Sequence, residues 1–173
     1  MLDLAPYFRP GQVKTDSEGK ITQVQSEWIP CEPMECARSN FALVALNNFV
    51  YVFGGISGAL DGENAHHPVL ALEVIERYTP KINKWEPIKI ADAPRLAAFS
   101  WTRLGEGKKG EEAKIAILGG TNGEIATEEF MIIDFNAETV LNKQTNFEFN
   151  TCMGNMIFHE GSDTLYHIGG MGS

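Results

Sequence analysis

Residues 49–55 read FVYVFGG, a run of apolar, β-prone residues that closes on two glycines. The same pattern returns at residues 114–120 (KIAILGG) and 164–170 (TLYHIGG), after intervals of 65 and 50 residues. A β-prone run repeated at such intervals is typical of proteins that use one small structural unit several times. The repeat, more than any single segment, therefore decides the fold.

Each Gly-Gly run forms the second arm of a predicted β-hairpin. An apolar stretch that ends in turn residues precedes it each time, at residues 41–46, 96–104 and 155–159. Apolar arms with turn residues between them are typical of hairpins. A second hairpin follows, with arms at residues 69–78 and 85–90 in the first unit and at 130–135 and 139–145 in the second. The sequence thus predicts an all-β fold of four-stranded antiparallel units.

Two further markers recur with the repeat. Trp28 and Trp85 are 57 residues apart, and Arg38 and Arg95 are also 57 residues apart. Equal offsets for two independent residue types indicate that the two arginines hold the same place in successive units.

The repeated residues resemble the kelch motif, in which an Arg precedes the innermost strand, the second strand ends in Gly-Gly, a Tyr lies in the third strand and a Trp opens the fourth. The first unit has all of these features. The second has Phe135 in place of the Tyr, and the third lacks the Arg and stops after its second strand. The residues assigned to the motif are Arg38, Gly54, Gly55, Tyr78, Trp85, Arg95, Gly119, Gly120, Phe135, Gly169 and Gly170.

The resemblance implies an incomplete kelch-type β-propeller, an open arc of about three to four blades of four antiparallel strands each. Closed propellers have roughly four to eight blades, and an open arc exposes edges that pair with other strands. We therefore expect a fragment or truncated product of a longer propeller, which associates with further blades or another chain. The predicted organisation is an N-terminal segment at 1–25, in part a polar loop or remnant of a preceding blade, and kelch repeats at 26–173, with a blade at 38–90, a degenerate blade at 95–145 and half a blade at 152–171.

The chain is acidic, with 23 Asp plus Glu against 14 Lys plus Arg and a formal net charge of -9. Such a surface repels phosphate backbones and anionic lipid headgroups, which disfavours nucleic acid and membranes as partners. No signal-like N-terminus or run of membrane-spanning length is present, and the predicted compartment is the cytoplasm. Cys31, Cys36 and Cys152 are irregularly spaced, which indicates buried or half-buried thiols.

No catalytic motif is present, and we predict no catalytic residue, cofactor or metal. His66 and His67 lie near Asp61 and Glu63 in a predicted loop and form the one local cluster with metal-binding potential. A metal site needs further ligands held by the fold, so we interpret these four side chains as solvated. They remain candidates for contact with a protein partner, and the same applies to two residues of a later loop, Asn122 and Glu124.

Arg38 and Arg95 have two interpretations. In the first, each arginine braces its blade by donating to carbonyls and a carboxylate beside the inner strand. In the second, the two arginines line an axial pocket and bind an acidic peptide, because a planar guanidinium suits bidentate contacts with carboxylates. The net charge of the chain argues modestly against a strongly anionic ligand.

Antiparallel strand order predicts that residues 30–37, 56–68 and 121–129 emerge on one face, where loops on a rigid scaffold bind partners. The resemblance implies a non-catalytic protein-protein interaction module, such as the substrate-recognition or scaffold part of a larger protein. The alternatives are a kelch-related enzyme, either a metal oxidase or a sugar-modifying enzyme, and a truncated product of a longer kelch gene.

Overall fold

A computed structural model describes residues 8–9, 14–23, 27–28, 30–57, 71–105, 113–144 and 150–172. Within these ranges the regular elements are β-strands and two short 3-10 turns, at Pro80–Ile82 and Glu160–Ser162, with no α-helix. The strands are β1 (Phe8–Arg9), β2 (Lys14–Thr15), β3 (Ile21–Gln23), β4 (Glu27–Trp28), β5 (Ala42–Leu46), β6 (Phe49–Phe53), β7 (Ile75–Thr79), β8 (Lys84–Ile88), β9 (Ser100–Leu104), β10 (Lys114–Leu118), β11 (Phe130–Asp134), β12 (Thr139–Gln144), β13 (Asn155–His159) and β14 (Thr164–Ile168).

The strands form two four-stranded antiparallel sheets and one hairpin. The first sheet has the order β5-β6-β7-β8, and the second has the order β9-β10-β11-β12. The third unit is a single hairpin of β13 and β14, which we call the third hairpin. Two smaller pairs, β1-β4 and β2-β3, complete the described part. The prediction of an all-β fold built from four-stranded antiparallel units is confirmed.

Tight turns set the register of the hairpins. Asn47 and Asn48 connect β5 to β6 and have φ angles of 47° and 68°. A two-residue turn with both residues at positive φ matches the twist of paired strands, and Asn tolerates this conformation better than most residues. The turn pairs Leu46 with Phe49, and the rest of the β5-β6 register follows.

The main core lies between the first and second sheets. Along β5 the side chains alternate, so that Ala42, Val44 and Leu46 are buried while Leu43 and Ala45 are exposed. The buried set packs with Ile115, Ile117, Met131 and Ile133 of the second sheet in one cluster. A smaller cluster of Ala116, Leu118 and Met156 joins the second sheet to the third hairpin. Each sheet therefore buries one face against the next unit.

Backbone hydrogen bonds join the three units where their inner strands begin. The N–H of Ala98 donates to the carbonyl of Asn40 at 2.9 Å, and the N–H of Met153 donates to the carbonyl of Ala98 at 2.6 Å. These three residues share left-handed φ angles of 55°, 54° and 59°. They occupy one position of the repeat, and this position defines which residues of the three units are equivalent.

No helix formed by the described residues is long and apolar enough to cross a membrane.

Candidate interaction surface

The connections gather at two opposite ends of the sheets. At the first end, which we call the loop end (residues 35–37, 71–74 and 121–127), the N–H of Ala71 donates to the carbonyl of Asn122 at 3.3 Å. The prediction that all of residues 30–37 lie at this end is wrong for Glu32, whose N–H donates to Asn83 Oδ1 at 3.0 Å, beside the turns of the opposite end. At the opposite end, the turn end (residues 47–48, 80–83, 135–138 and 160–163), the Asn47 amide donates to Asn136 Oδ1 at 2.9 Å. Two of the segments at the loop end, residues 71–74 and 121–127, are therefore held beside one another by the backbone.

A buried ion pair anchors the segment before β5. The Arg38 guanidinium donates to the carbonyls of Gly54 at 2.9 Å and Val74 at 2.8 Å, and it pairs with the Glu76 carboxylate at 2.5 Å. The Arg38 and Glu76 side chains are 0% and 1% exposed. The carboxylate also accepts the N–H groups of Glu35 at 2.7 Å and Cys36 at 3.4 Å. The pair thus joins β6, β7 and residues 35–38 in one satisfied network.

The second sheet fills the same place with apolar side chains. Ser39 and Ala97 make equivalent bridges to the residues after the Gly-Gly pairs, so Leu96 holds the position of Arg38. Val52 and Ile117 each lie two residues before a Gly-Gly pair, and their cross-strand partners are Glu76 and Met131. Met131 therefore holds the position of Glu76. Leu96 and Met131 are both buried in the main core. The ion pair of the first sheet is replaced by an apolar pair.

The prediction that Arg38 and Arg95 hold the same position is therefore wrong by one residue. Arg95 points to the surface and pairs with Glu73, and the two side chains are 58% and 67% exposed. Of the two arginines, only Arg38 donates to backbone carbonyls among the hydrogen bonds of the described residues. In this structure Arg38 braces the first sheet through its bonds to two carbonyls and a carboxylate. Arg95 has no such role, since a charged pair as exposed as Arg95 and Glu73 contributes little to stability.

The glycine pairs lie where one unit meets the next. Gly119 and Gly120 have φ angles of 67° and 99°, a region that favours glycine. The N–H of Gly120 donates to the carbonyl of Thr151 at 2.7 Å, as the N–H of Gly55 donates to that of Leu96 at 2.9 Å. The pairs thus combine a left-handed backbone with close approach of the following unit.

Tyr78 and Trp85 face each other across β7 and β8, with ring centroids 5.0 Å apart. The indole N–H of Trp85 donates to the Glu32 carbonyl at 2.9 Å, and the Tyr78 hydroxyl donates to Asn83 Oδ1 at 2.6 Å. The two aromatic side chains therefore connect the outer strands of the first sheet to the segment around Glu32.

Phe135 does not take the place of the Tyr in the second sheet. The register puts Ile133 at the position of Tyr78 and Val140 at that of Trp85. Phe135 begins the turn after β11 and packs on the Tyr51 ring of the first sheet, with centroids 4.5 Å apart. Its role is to close the core between the two sheets at the turn end.

Tyr51 gives the core a measurable response to alkaline pH. Burial raises the pKa of its phenol above the usual value, and a hydrogen bond from Arg77 opposes this effect. In the unfolded chain the phenol ionises near its ordinary pKa of about 10, so this contribution to stability is present below pH 10 and is lost as pH rises. We expect the Tyr51→Phe variant to lose less unfolding free energy than the original chain between pH 9 and 11. Denaturant unfolding at each pH measures this difference, and parallel curves for the two proteins would contradict it.

The candidate contact residues that the structure describes lie at the loop end. Asn122 and Glu124 are exposed, and the Asn122 side-chain oxygen accepts the N–H groups of Glu124 and Ile125 at 2.9 and 3.1 Å. This turn presents Ile125, which is 66% exposed and was not among the predicted contacts. In the sequence, the feature that marks Ile125 is its place as an apolar residue within the polar run TNGEIA, residues 121–126. The other candidates, Asp61, Glu63, His66 and His67, lie outside the described residues.

In the described part of the chain, no three His, Cys, Asp or Glu side chains lie close enough together to hold a metal ion. Cys36 and Cys152 are half-buried, as predicted, and carry free thiols, whereas the prediction is wrong for Cys31, which is exposed.

The two sheets and the third hairpin, joined at their inner strands by backbone hydrogen bonds, define the chain as an open arc of β-propeller blades. The solved structure of YjhT has the same fold, with a TM-score of 0.59 at 14% identity over 76% of this chain and 45% of that chain. Residues 37–89 match the family model of the Kelch motif.

Three curated relatives are similar in sequence. Human Kelch-like protein 33 is 36% identical over 42% of this chain and 12% of its own length, and human Kelch-like protein 25 is 31% identical over 57% and 15%. The N-acetylneuraminate epimerase of Salmonella enteritidis is 27% identical over 66% of this chain and 27% of its own length. The chain thus spans less than a third of each of these relatives. The match to the Kelch motif, the two Kelch-like relatives and the fold confirm the resemblance of the repeated residues to the kelch motif.

Proposed function

We propose that this chain is a non-catalytic protein-interaction module whose loop end contacts the partner. The hydrogen bond between Ala71 and Asn122 carries this proposal, because it joins the connections of two successive sheets into one surface. The Kelch-like relatives support a role in protein binding. Because surface electrostatics favour complementary charge, the net charge of -9 favours a neutral or basic partner. As part of a larger protein, the chain serves as a substrate-recognition or scaffold element.

The loop end combines a rigid base with an exposed apolar anchor. The Arg38–Glu76 network holds residues 35–38 on the first sheet, and the Asn122 turn holds Ile125 outward on the second. Apolar side chains presented by a fixed backbone bind with a smaller entropy cost than those on loose loops. We further propose that the interaction takes place in the cytoplasm, in keeping with the free thiols of Cys36 and Cys152.

Site-specific photo-cross-linking tests the loop end against a matched control. Ile125 at the loop end and Ile82 at the turn end are 66% and 65% exposed. A photoreactive residue at position 125 is expected to give a discrete protein adduct in a native cell extract, and the same residue at position 82 should give none. Ile125→Glu should reduce recovery of that partner by about tenfold, since a loop-end contact would bury an unpaired charge. Adducts of equal yield from the two positions, or none from either, would contradict the proposal.

An enzymatic function is the second candidate, and the similarity to an N-acetylneuraminate epimerase favours it. The test is to incubate the purified chain with N-acetylneuraminate and follow the sugar by NMR. Epimerisation above the rate without protein, together with no adduct from position 125, would replace the interaction module by a sugar-modifying enzyme.

A further inference from the structure

Asn122 and Gly123 form the one Asn-Gly pair of the sequence. Asparagine side chains are chemically labile, and a following glycine leaves the next backbone nitrogen unhindered, because glycine has no Cβ. Both residues are exposed at the loop end, so water reaches them. The pair is therefore open to an intramolecular reaction that the other asparagines, which precede larger residues, undergo less readily.

The structure holds the Asn122 amide folded over the peptide that follows it. Its Oδ1 accepts the backbone N–H groups of Glu124 at 2.9 Å and Ile125 at 3.1 Å. Because Gly123 lies between Asn122 and Glu124 in the chain, its nitrogen belongs to the ring of atoms that the first contact closes. The Gly123 nitrogen and the Asn122 amide carbon are thus kept in one small ring, which favours a reaction between them.

The same two contacts stabilise the charge that such a reaction creates. When a nitrogen adds to an amide carbon, negative charge develops on the amide oxygen, and N–H donors within about 3.1 Å of that oxygen stabilise it. Glu124 and Ile125 supply two donors of this kind to Asn122 Oδ1. The loop therefore lowers the barrier in addition to orienting the reacting groups.

The proton on the attacking nitrogen has a defined acceptor. The Gly123 N–H donates to Thr121 Oγ1 at 3.1 Å. A hydroxyl both accepts and donates hydrogen bonds, so it can pass this proton to water. Gly123 also has a φ angle of 108°, a conformation that favours glycine. The backbone thus disfavours a side chain at the position where one would hinder the attack.

We propose that Asn122 is a site of spontaneous deamidation. The Gly123 nitrogen forms a bond to Asn122 Cγ and loses its proton to water through Thr121. The bond from Cγ to Nδ2 breaks, and Nδ2 takes up a proton and leaves as ammonia, so that a cyclic succinimide remains. Water then opens this ring at either carbonyl and gives aspartate or isoaspartate at position 122. The sum consumes a water molecule and releases ammonia, and no electron is transferred.

The modification changes the residue that joins two segments of the loop end. The Asn122 carbonyl accepts the N–H of Ala71 at 3.3 Å. In the isoaspartyl product this carbonyl becomes a free carboxylate, and the main chain runs through Cβ and Cγ. The loop closed by the bridge between Thr121 and Ala126 thereby gains a backbone atom and a negative charge, which shifts the exposed Ile125. The effect on partner binding rests on the proposed function, whereas the chemical step does not.

Asn136 is a matched control within the same chain. Like Asn122, it is exposed in a tight turn, and its Oδ1 accepts the Asn47 amide. The next residue is Ala137, whose N–H donates to the Asp134 carboxylate at 3.0 Å. The methyl group beside this nitrogen and the carboxylate that holds its proton both oppose the attack. Asn136 should therefore stay unmodified while Asn122 reacts.

Incubation of the purified chain in oxygen-18 water tests the reaction. Opening of the succinimide should place an oxygen-18 atom on residue 122. Fragment ions of the tryptic peptide of residues 115–143 compare positions 122 and 136 in one spectrum. Labelling at position 122 is expected to be at least about tenfold faster than at position 136. Equal rates at the two positions, or no label at either, would overturn the proposal.

A synthetic peptide of residues 118–127 (LGGTNGEIAT) separates the effect of the folded loop from that of the Asn-Gly pair itself. The peptide has the same pair without the fixed contacts to Oδ1. Asn122 should be labelled at least as fast in the full chain as in the peptide, because the two N–H donors offset the restricted motion of the folded loop. If the full chain reacts about tenfold more slowly, the fold protects Asn122 and the proposal is wrong.

Cross-linking from position 125 measures the consequence for the loop end. Chain aged until residue 122 is fully labelled should give about tenfold less adduct than fresh chain. The adduct yield of an Asn122→Gln chain should not fall over the same time, because the longer side chain closes the ring less readily. Equal yields from aged and fresh chain would refute an effect of deamidation on the loop end. No adduct from fresh chain would contradict the proposed function, while the oxygen-18 label alone decides the deamidation.

Discussion

Replacement of Arg38 by leucine is expected to lower the free energy of unfolding by about 3–5 kcal/mol, because it leaves the Glu76 carboxylate buried without its cation. Glu76→Met is expected to cost a similar amount, since it leaves the buried guanidinium without its anion. Both side chains are almost completely excluded from solvent, so water cannot compensate either loss. Urea denaturation of the two variants against the original chain measures both values.

The double variant Arg38→Leu with Glu76→Met copies the pair found in the second sheet, where Leu96 and Met131 are buried. We expect it to unfold within about 2 kcal/mol of the original chain, since no unpaired charge remains. The residual cost comes from the N–H groups of residues 35 and 36 and the carbonyls of residues 54 and 74, which lose their partners. If the double variant loses as much unfolding free energy as the two single variants together, an apolar pair cannot replace the ion pair in the first sheet.

Substitution of Gly119 by alanine is expected to destabilise the chain by roughly 2–5 kcal/mol, with contributions from left-handed backbone strain and overpacking. A Cβ at this position would overlap the carbonyl of Thr151. That carbonyl accepts the N–H of Gly120, so relief of the overlap would stretch a hydrogen bond between two units. Thermal unfolding of the variant and the original chain gives the size of the effect.

Gly169 is the matched control, because its φ angle of 72° is close to the 67° of Gly119. Among the described residues nothing lies within 4 Å of a Cβ built at Gly169. Gly169→Ala should therefore cost only the backbone strain, about 1–2 kcal/mol. If the two alanine variants lost equal stability, the close approach of the units would not be the reason for glycine at position 119.

The repeated Gly-Gly runs and the apolar arms around them were sufficient to predict the number of strands in each sheet and their antiparallel order. Two predicted arms, 69–78 and 96–104, include residues outside the strands, since β7 is Ile75–Thr79 and β9 is Ser100–Leu104. This was possible because hairpins are local, and the turn residues between two arms are visible in the chain itself. The register between units was not visible in this way. The 57-residue offset made Arg95 the counterpart of Arg38, although the backbone bridges of Ser39 and Ala97 make Leu96 the counterpart.

Some residues of the candidate surface could be predicted from the sequence, and others could not. Asn122 and Glu124 were identified from the position of their loop, and the structure finds them exposed at the loop end. Ile125 was missed, because an apolar residue in a polar turn carries no sign of whether it points inward or outward.

By itself, the sequence determined the local structure: β-strands of about five residues, turns built from Asn and Gly, and glycine pairs at the strand ends where left-handed φ angles occur. Tertiary structure alone decided which side chains become partners in the buried sites. Glu76 lies 38 residues from Arg38, and Met131 lies 35 residues from Leu96. The exchange of an ion pair for an apolar pair satisfies burial in both sheets, because a buried site requires that its partners match and does not require one particular chemistry.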